Sequence, residues 1–383
     1  MKLKIFCILV SLHFFSFSSK KVFAQDENKD LKQQMQKIVS HYIEILPYTT
    51  GVKELKSKKE RMAVVENLRS LQEHFKNSHN TKRLKAPHLT PSLQVMEEHL
   101  THSVSAVTHA SDSFARKNLQ TLSTLCMSCH GQIQQESLLS HESVLASKKK
   151  YFEDSLDEAN FLFLTRNYEK ARKKFKEYIL NSLREKNTDR ISEALNSLTA
   201  LHLQTIYQPK ELEKDLLEIK ESSDELPNSV SYFINTTMES LEDWSKFDNK
   251  IDSDVKFEKF INTHLENLKT RSPFGSTLTE SDLLVSSGVV SRFIQEKPES
   301  LQVPKAYLWL SRLEDKLNQN YLYSLSDIYL KKCVQNYSHT SEAHDCYKEY
   351  RKNIIIAYSG SAGTFIPDDI KAELEELRKS LEK

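Results

Sequence analysis

The sequence has 383 residues, with 54 lysines and arginines against 53 aspartates and glutamates. This near-neutral balance does not favour a surface that binds nucleic acid or another polyanion, and the length exceeds that of one ordinary domain. Glycine occurs only 6 times and strand-like alternation is hard to find, so we expect an all-α protein.

The N-terminus has the pattern of a secretory signal peptide. Two lysines precede a mostly apolar run over residues 5–17, which is too short to span a bilayer, and residues 22–24 resemble a cleavage site. We predict that residues 1–24 are removed and that the mature chain begins at Gln25 as a soluble periplasmic protein. An amphipathic first helix is the alternative. No later stretch reaches the roughly 20 apolar residues of a transmembrane helix, so we expect no membrane span.

Residues 25–140 contain four helical stripes of apolar side chains spaced three or four positions apart. We predict a first helix over residues 28–46 that stops at Pro47, and a second over residues 57–77. The stripes and short connections predict an antiparallel four-helix bundle. In chain order, the stripes are Leu31, Met35, Ile38, Tyr42 and Ile45; Val64, Leu68, Leu71 and Phe75; Leu93, Met96, Leu100, Ser103, Val107, Ala110 and Phe114; and Leu119, Leu122, Cys126, Cys129 and Ile133.

Near the end of the fourth helix, Cys126, Cys129 and His130 form the pattern C-x-x-C-H. A zinc site would need a second ligand pair, and a thioredoxin-like redox pair would need a βαβ context that is not visible here. In an exported protein, this spacing is typical of covalent haem attachment. The two thiols add to the haem vinyl groups, and the adjacent histidine binds the iron. We therefore predict one haem c, facing the bundle interior because both cysteines lie on the apolar stripe.

This helix order, with C-x-x-C-H near its end, resembles the cytochrome c′ and cytochrome c-556 family over roughly residues 28–135. The segment "DLKQQMQKIVSHYIEI" is similar to the first helix of the c-556 proteins, in which a methionine fills the sixth iron position, and Met35 falls at that place. The resemblance implies His130 as the proximal ligand, Met35 as the distal ligand and a six-coordinate, low-spin haem. The residues alone leave two roles open for Met35: a thioether that suits haem iron or a filler on an apolar stripe.

The remaining cysteines outside the signal peptide, Cys333 and Cys346, flank a predicted helix end, turn and helix start. An antiparallel hairpin can bring such positions to the separation that a disulfide needs, and exported thiols tend to be oxidised. We predict that these two cysteines form a disulfide. Two buried thiols are the alternative.

Residues 141–150 are predicted to connect the bundle to a second helical region over residues 151–383. The segment "DEANFLFLTRNYEKARKKFKEYI" resembles a tetratricopeptide-repeat hairpin, and residues 329–354 have a similar pattern. We expect a degenerate repeat-like array that presents a surface to partner proteins. The packing positions of the first hairpin are Ala159, Tyr168, Ala171 and Phe175.

These features predict a periplasmic monohaem c-type cytochrome that transfers single electrons and docks redox partner proteins through its C-terminal helices. Two alternatives remain open. One is a gas-binding or gas-sensing haem protein for NO or CO, and the other is a helical scaffold in which the haem is structural. We find no nucleophile constellation, Walker loop or dinucleotide fingerprint, and therefore expect no enzyme. The segment "YSGSAG" at residues 358–363 lacks the lysine and spacing of a phosphate loop. A turn before the last helix is expected there.

Overall fold

A computed structural model describes residues 32–78, 90–131, 148–223, 225–266, 279–317, 325–361 and 363–382. These ranges are mostly helical, which confirms the predicted all-α class. Internal contacts divide the chain into two compact units. The first includes residues 32–78 and 97–118, and the second includes residues 90–96 and those from 119 onward. The predicted signal peptide, Leu31, Ile133 and most of the predicted connector lie outside the described residues.

Four helices correspond to the four predicted stripes. Helix α1 is described from residue 32 to residue 50, and it is followed by α2 (Lys58–Ser78), α3 (Thr90–His109) and α4 (Asp112–Gly131). The prediction that α1 stops at Pro47 is wrong. A proline disfavours the helical conformation of the residue before it but does not forbid it, and the Pro47 carbonyl accepts from the N–H of Lys53 at 2.8 Å. The helix instead ends at Gly51, whose φ of +92° suits glycine.

The predicted position of Phe114 is also wrong. It does not extend the buried stripe of α3, because that helix ends at His109 and Phe114 lies in the first turn of α4 with 58% of its surface exposed. Ala110 lies in the short connection and is half-buried. The other members of that stripe are buried: Leu93, Met96, Leu100, Ser103 and Val107.

Polar contacts within the first unit connect consecutive helices. His41 Nδ1 on α1 lies 3.0 Å from the side-chain oxygen of Asn67 on α2. Arg61, near the start of α2, donates to the carbonyl of Val107 near the end of α3 at 2.6 Å. Gln72, later in α2, donates to Thr101, earlier in α3, at 3.0 Å. Helices α2 and α3 are therefore antiparallel.

The side chain of Arg61 spans the turn between α3 and α4. Besides its bond to α3, Arg61 forms an ion pair with Asp112, the first residue of α4. His99 Nε2 on α3 lies 2.8 Å from the carbonyl of Asn118 on α4, so α4 folds back along α3. Arg61 thus satisfies a carbonyl that the end of α3 leaves without an intrahelical donor.

Eleven further helices are described in the second unit. Consecutive helices pack together through most of the series, and α6 also contacts α8, α12 contacts α14, and α13 contacts α15. A π-helical turn extends α7 over Leu201–Thr205, and another extends α10 over Ile261–Leu265. The helices are α5 (Ser155–Leu164), α6 (Tyr168–Arg184), α7 (Ile191–Ala200), α8 (Pro209–Glu221), α9 (Asn228–Trp244), α10 (Asp254–Phe260), α11 (Glu280–Glu296), α12 (Val303–Leu317), α13 (Ser326–Asn336), α14 (Ser341–Ala357) and α15 (Asp368–Ser380).

Helices α5 and α6 form the helical pair predicted between residues 157 and 179. All four predicted packing residues are buried. The rings of Tyr168 and Phe175 meet the ring of Phe163 edge-on, with centroids 5.8 Å and 6.5 Å away, a favourable aromatic arrangement. The small side chains of Ala159 and Ala171 are also buried, as expected where two helices approach closely.

The predicted turn at residues 358–363 is a short hairpin. Strand β1 (Ser359–Gly360) pairs antiparallel with β2 (Gly363–Thr364), with Ser359 opposite Thr364. Gly363 has a φ of +109°, which explains the need for glycine at that position. The hairpin connects α14 to α15.

The π-helical turn after α7 packs closely on α11. A Cβ atom at Gly288 would lie 2.5 Å from the carbonyl oxygen of Gln204, so only glycine fits there. The side chain of Gln204 reaches the hydroxyl of Ser287 at 3.0 Å and a carboxylate oxygen of Glu314 at 3.4 Å. Ser287 donates to that same oxygen at 2.9 Å. Three elements are thus linked by a buried polar network.

Glu314 is the member of this network whose burial is unfavourable when the side chain is ionised. Only 7% of its surface is exposed. Burial raises the pKa of Glu314 to about 7, and the hydrogen bonds from Ser287 and Gln204 lower it only in part. Because this folded-state pKa lies above that of an unfolded glutamate, the stability it contributes is present at low pH and is lost as pH rises from about 4.5 to about 7.

We expect Glu314→Gln to remove that pH dependence. The amide keeps the size of the side chain and its polar partners but carries no charge to desolvate. The variant should be more stable than the parent at pH 8 by about 3 kcal/mol, and equally stable near pH 4. Urea unfolding at both pH values measures the difference. Glu296→Gln, at an exposed position of α11, is the matched control. Equal stability gains at both pH values would contradict the assignment.

The structure joins Cys333 on α13 and Cys346 on α14 in a disulfide, with their Cα atoms 6.3 Å apart. Thr340 lies between them and caps α14, because its hydroxyl accepts from the N–H of Ala343. Both cysteines are completely buried. The bond joins cysteines 13 positions apart in the sequence, across the turn between the two helices.

Replacing both Cys333 and Cys346 by alanine should destabilise the protein by about 3 kcal/mol, because the crosslink restricts the unfolded chain. Chemical unfolding of the two proteins measures the loss, and the variant should no longer respond to a reductant. Peptide mapping of the non-reduced parent should recover one peptide pair linked through these cysteines. Recovery of two alkylated thiols at these positions would rule out the disulfide.

Candidate functional site

The C-x-x-C-H motif lies in the last turns of α4. Cys126 and Cys129 are three residues apart in a continuous helix and therefore share one face. Cys126 is half-buried, whereas the side chain of Cys129 is outside the described part of the structure. Of the residues between them, Met127 and Ser128 are buried. The motif thus occupies a partly covered helix end.

His130 makes a hydrogen bond through one ring nitrogen. Its Nδ1 donates to the backbone carbonyl of Leu164, the last residue of α5. A carbonyl oxygen can only accept, so this bond assigns the proton to Nδ1 and leaves the lone pair on Nε2. A histidine that binds a metal through one nitrogen commonly donates its other N–H to a carbonyl in this way.

The Leu164 carbonyl is available because of the way α5 ends. The N–H of Asn167 donates to the carbonyl of Leu162, and the N–H of Arg166 donates to the carbonyl of Phe163, both at 2.8 Å. Arg166 has a left-handed φ of 58°. This is a Schellman motif, which uses two of the last carbonyls of a helix. It leaves the carbonyl of Leu164 to accept from outside the helix.

A second bond connects the same hairpin to the motif. The hydroxyl of Tyr168, the first residue of α6, donates to the backbone carbonyl of His130 at 2.8 Å. That carbonyl lies in the last described turn of α4. Tyr168 is 1% exposed, so the bond is shielded from water. His130 is therefore held both by its ring and by its backbone.

The surroundings of His130 keep its ring neutral. Burial lowers the pKa of His130 to about 4, and the positive charge of Arg166 acts in the same direction, while the bond to Leu164 opposes them. Neutral imidazole is the form that binds metal ions. At neutral pH the residue thus presents the correct charge, tautomer and lone pair for an iron ligand, and the two cysteines share one helix face. These residues fit a covalently attached haem.

Met35 lies in the other unit, on α1. The structure places it half-buried, while Ile38, Tyr42 and Ile45 of the same stripe are buried. Met62 on α2 is 61% exposed and is a poor candidate for an iron ligand. Whether Met35 binds iron stays a prediction.

Two residues of the candidate site, Leu164 and Tyr168, were not assigned to it from the sequence. Leu164 acts through its backbone carbonyl, which no side-chain pattern indicates. Tyr168 was recognised as a packing residue of the hairpin, but its hydroxyl contact with α4 depends on tertiary structure. The hairpin resemblance located the right segment without indicating its contact with the motif.

A second buried polar cluster surrounds Asp215 on α8, which is 1% exposed. Arg172 and Lys176 of α6 donate to its carboxylate at 2.7 Å and 3.1 Å, and His202 Nε2 lies 3.2 Å away. Burial acts to raise the pKa of Asp215, but the hydrogen bonds from these three side chains outweigh it and lower the pKa. The cluster connects three helical segments through a compensated charge, which indicates a structural role.

Within the described residues, no three histidine, cysteine, aspartate or glutamate side chains converge on a point that could hold a metal ion. No helix in the described part of the chain is both long and apolar enough to cross a bilayer. Comparison of the chain with protein-family models, curated proteins and solved structures found no match.

Proposed function

We propose that this protein is an exported c-type cytochrome that carries one haem and transfers single electrons. The observation that supports this most directly is the bond from His130 Nδ1 to the Leu164 carbonyl, next to the two cysteines of the C-x-x-C-H motif. It leaves Nε2 of His130 ready to bind iron. The haem would supply an iron that alternates between Fe(III) and Fe(II).

In this proposal, the residues of the chain have separate tasks. Cys126 and Cys129 anchor the haem through thioether bonds, and His130 provides the proximal iron ligand. Leu164 and Tyr168 hold that ligand in place from the hairpin of α5 and α6. The Cys333–Cys346 disulfide supports an oxidising compartment such as the periplasm, because such bonds rarely persist in the cytosol.

The sixth iron position is proposed to be filled by Met35. A thioether is a soft ligand that stabilises Fe(II) and raises the reduction potential. The support is the sequence, in which Met35 falls at the place of the distal methionine in the family that residues 28–135 resemble. When both axial ligands stay bound in the two oxidation states, the coordination of the iron changes little on reduction. This small reorganisation suits electron transfer.

The C-terminal helices are proposed to dock a redox partner protein. The support is the packing of consecutive helices through the series, which is typical of helical arrays that bind proteins.

Haem attachment is tested by producing the full chain in a host that exports and matures c-type cytochromes. We expect one iron per chain and haem that resists acid–acetone extraction. The Cys126→Ala, Cys129→Ala double variant should lose covalent haem, whereas Cys333→Ala, Cys346→Ala should keep it. Freely extracted haem in the parent, or covalent haem in the first double variant, would contradict the proposal.

The role of Met35 is tested by Met35→Leu, which keeps the size and apolarity of the side chain. The variant should become high-spin, bind CO readily and have a lower reduction potential, because the preference of the thioether for Fe(II) is lost. Met62→Leu, at an exposed position of α2, is the matched control and should behave like the parent.

A Met35→Leu spectrum identical to that of the parent would reject this ligand. A parent protein that is already high-spin and binds NO tightly would favour the gas-binding alternative.

A further inference from the structure

We infer that the hairpin of α5 and α6, which lies outside residues 28–135, is a fixed part of the haem site. By positioning His130, it shifts the equilibrium of the haem iron towards Fe(III). The inference rests on the proposed function. It makes Leu164 and Tyr168 positioning residues for the proximal ligand. The observation that carries it is the pair of bonds between this hairpin and His130.

The turn that presents the Leu164 carbonyl is rigid. Besides the two Schellman bonds, Asn167 donates through its side-chain amide to the hydroxyl of Thr165 at 3.0 Å, and that hydroxyl donates to the carbonyl of Phe161 at 2.9 Å. Thr165 is buried. These local bonds restrict the turn to one conformation, so the Leu164 carbonyl points in one direction. The imidazole that donates to it is oriented accordingly.

Tyr168 makes the contact specific to this histidine. It is the first residue of α6, so its hydroxyl and the Leu164 carbonyl come from the two ends of one short turn. One bond reaches the ring of His130 and the other reaches its backbone. Any displacement of the hairpin relative to α4 would therefore break both bonds.

The chemical effect follows from the direction of the ring bond. When Nδ1–H donates to an acceptor, the imidazole becomes a stronger electron donor at Nε2. A stronger donor stabilises Fe(III) more than Fe(II). The hairpin is therefore expected to lower the reduction potential, and opening its turn should raise it.

The first test compares Arg166→Val with Arg166→Gly in the full-length haem protein. Both remove the same charge, but only valine resists the left-handed φ of 58° at this position. The difference between the two variants therefore reports the turn alone. We expect the valine variant to shift the iron equilibrium towards Fe(II) by threefold to tenfold relative to the glycine variant, where tenfold is about 59 mV for one electron.

Lys186 provides a matched control. It follows α6 in the same type of turn, with a φ of 55° and its N–H donating to the Leu183 carbonyl. Lys186→Val and Lys186→Gly should have equal potentials. Equal potentials in the Arg166 pair, or an equal difference in both pairs, would overturn the inference.

The second test compares Tyr168→Phe with Tyr178→Phe. Both tyrosines lie on α6 and donate to a backbone carbonyl at 2.8 Å, but Tyr178 bonds to Asp189 rather than to the motif. Both variants should lose a similar amount of stability. Only Tyr168→Phe should accelerate solvent exchange of the His130 Nδ1 proton and shift the potential. Equal exchange rates in the two variants would overturn the inference.

The haem-free full chain separates this inference from the proposed function. In that protein, ¹⁵N NMR should show His130 as the Nδ1–H tautomer with a slowly exchanging proton. If this holds while no haem attaches to the parent, the proposed function fails and the effect on iron fails with it, but the hairpin contact stands. If haem attaches and the Nδ1 proton exchanges freely, the cytochrome assignment stands and this inference is wrong.

Discussion

The bond between His130 and the Leu164 carbonyl is the contact on which the candidate site depends. It joins a ring N–H at a partly buried position to a carbonyl in the last turn of α5, which has no intrahelical donor. The bond determines which nitrogen carries the proton, and thereby which nitrogen keeps a lone pair. It also places the turn between α5 and α6, which lies outside the four N-terminal helices, in direct contact with the motif.

Two buried carboxylates elsewhere in the second unit also depend on their polar partners. Asp215 is buried among cationic partners and stays ionised, whereas Glu314 is buried among neutral partners and its pKa rises to about 7. Both side chains connect helices that are far apart in sequence. The difference between them is whether positive charge accompanies the carboxylate. Buried polar groups of this kind restrict how helices can pack, at a cost in stability that depends on that compensation.

Much of the helical structure could be predicted from local patterns. The stripe of α2 and the packing residues of α5 and α6 are buried, because their spacing alone defines one face of a helix. The errors occurred where the local rule was incomplete. Pro47 does not end α1, because the tendency of helices to stop before a proline is a preference of the preceding residue and not a prohibition. Phe114 is exposed, because α3 had already ended at His109 and the apolar period no longer applied.

The sequence by itself determined the all-α class and the motif that suggests haem chemistry, because helical periodicity and C-x-x-C-H are properties of neighbouring residues. It also identified Cys333 and Cys346 as candidates for a disulfide, since the turn between them is short. Only the tertiary structure decided the tautomer of His130 and its partners. A backbone carbonyl such as that of Leu164 has the same chemistry in every residue. Its role arises only when the end of another helix is packed against it.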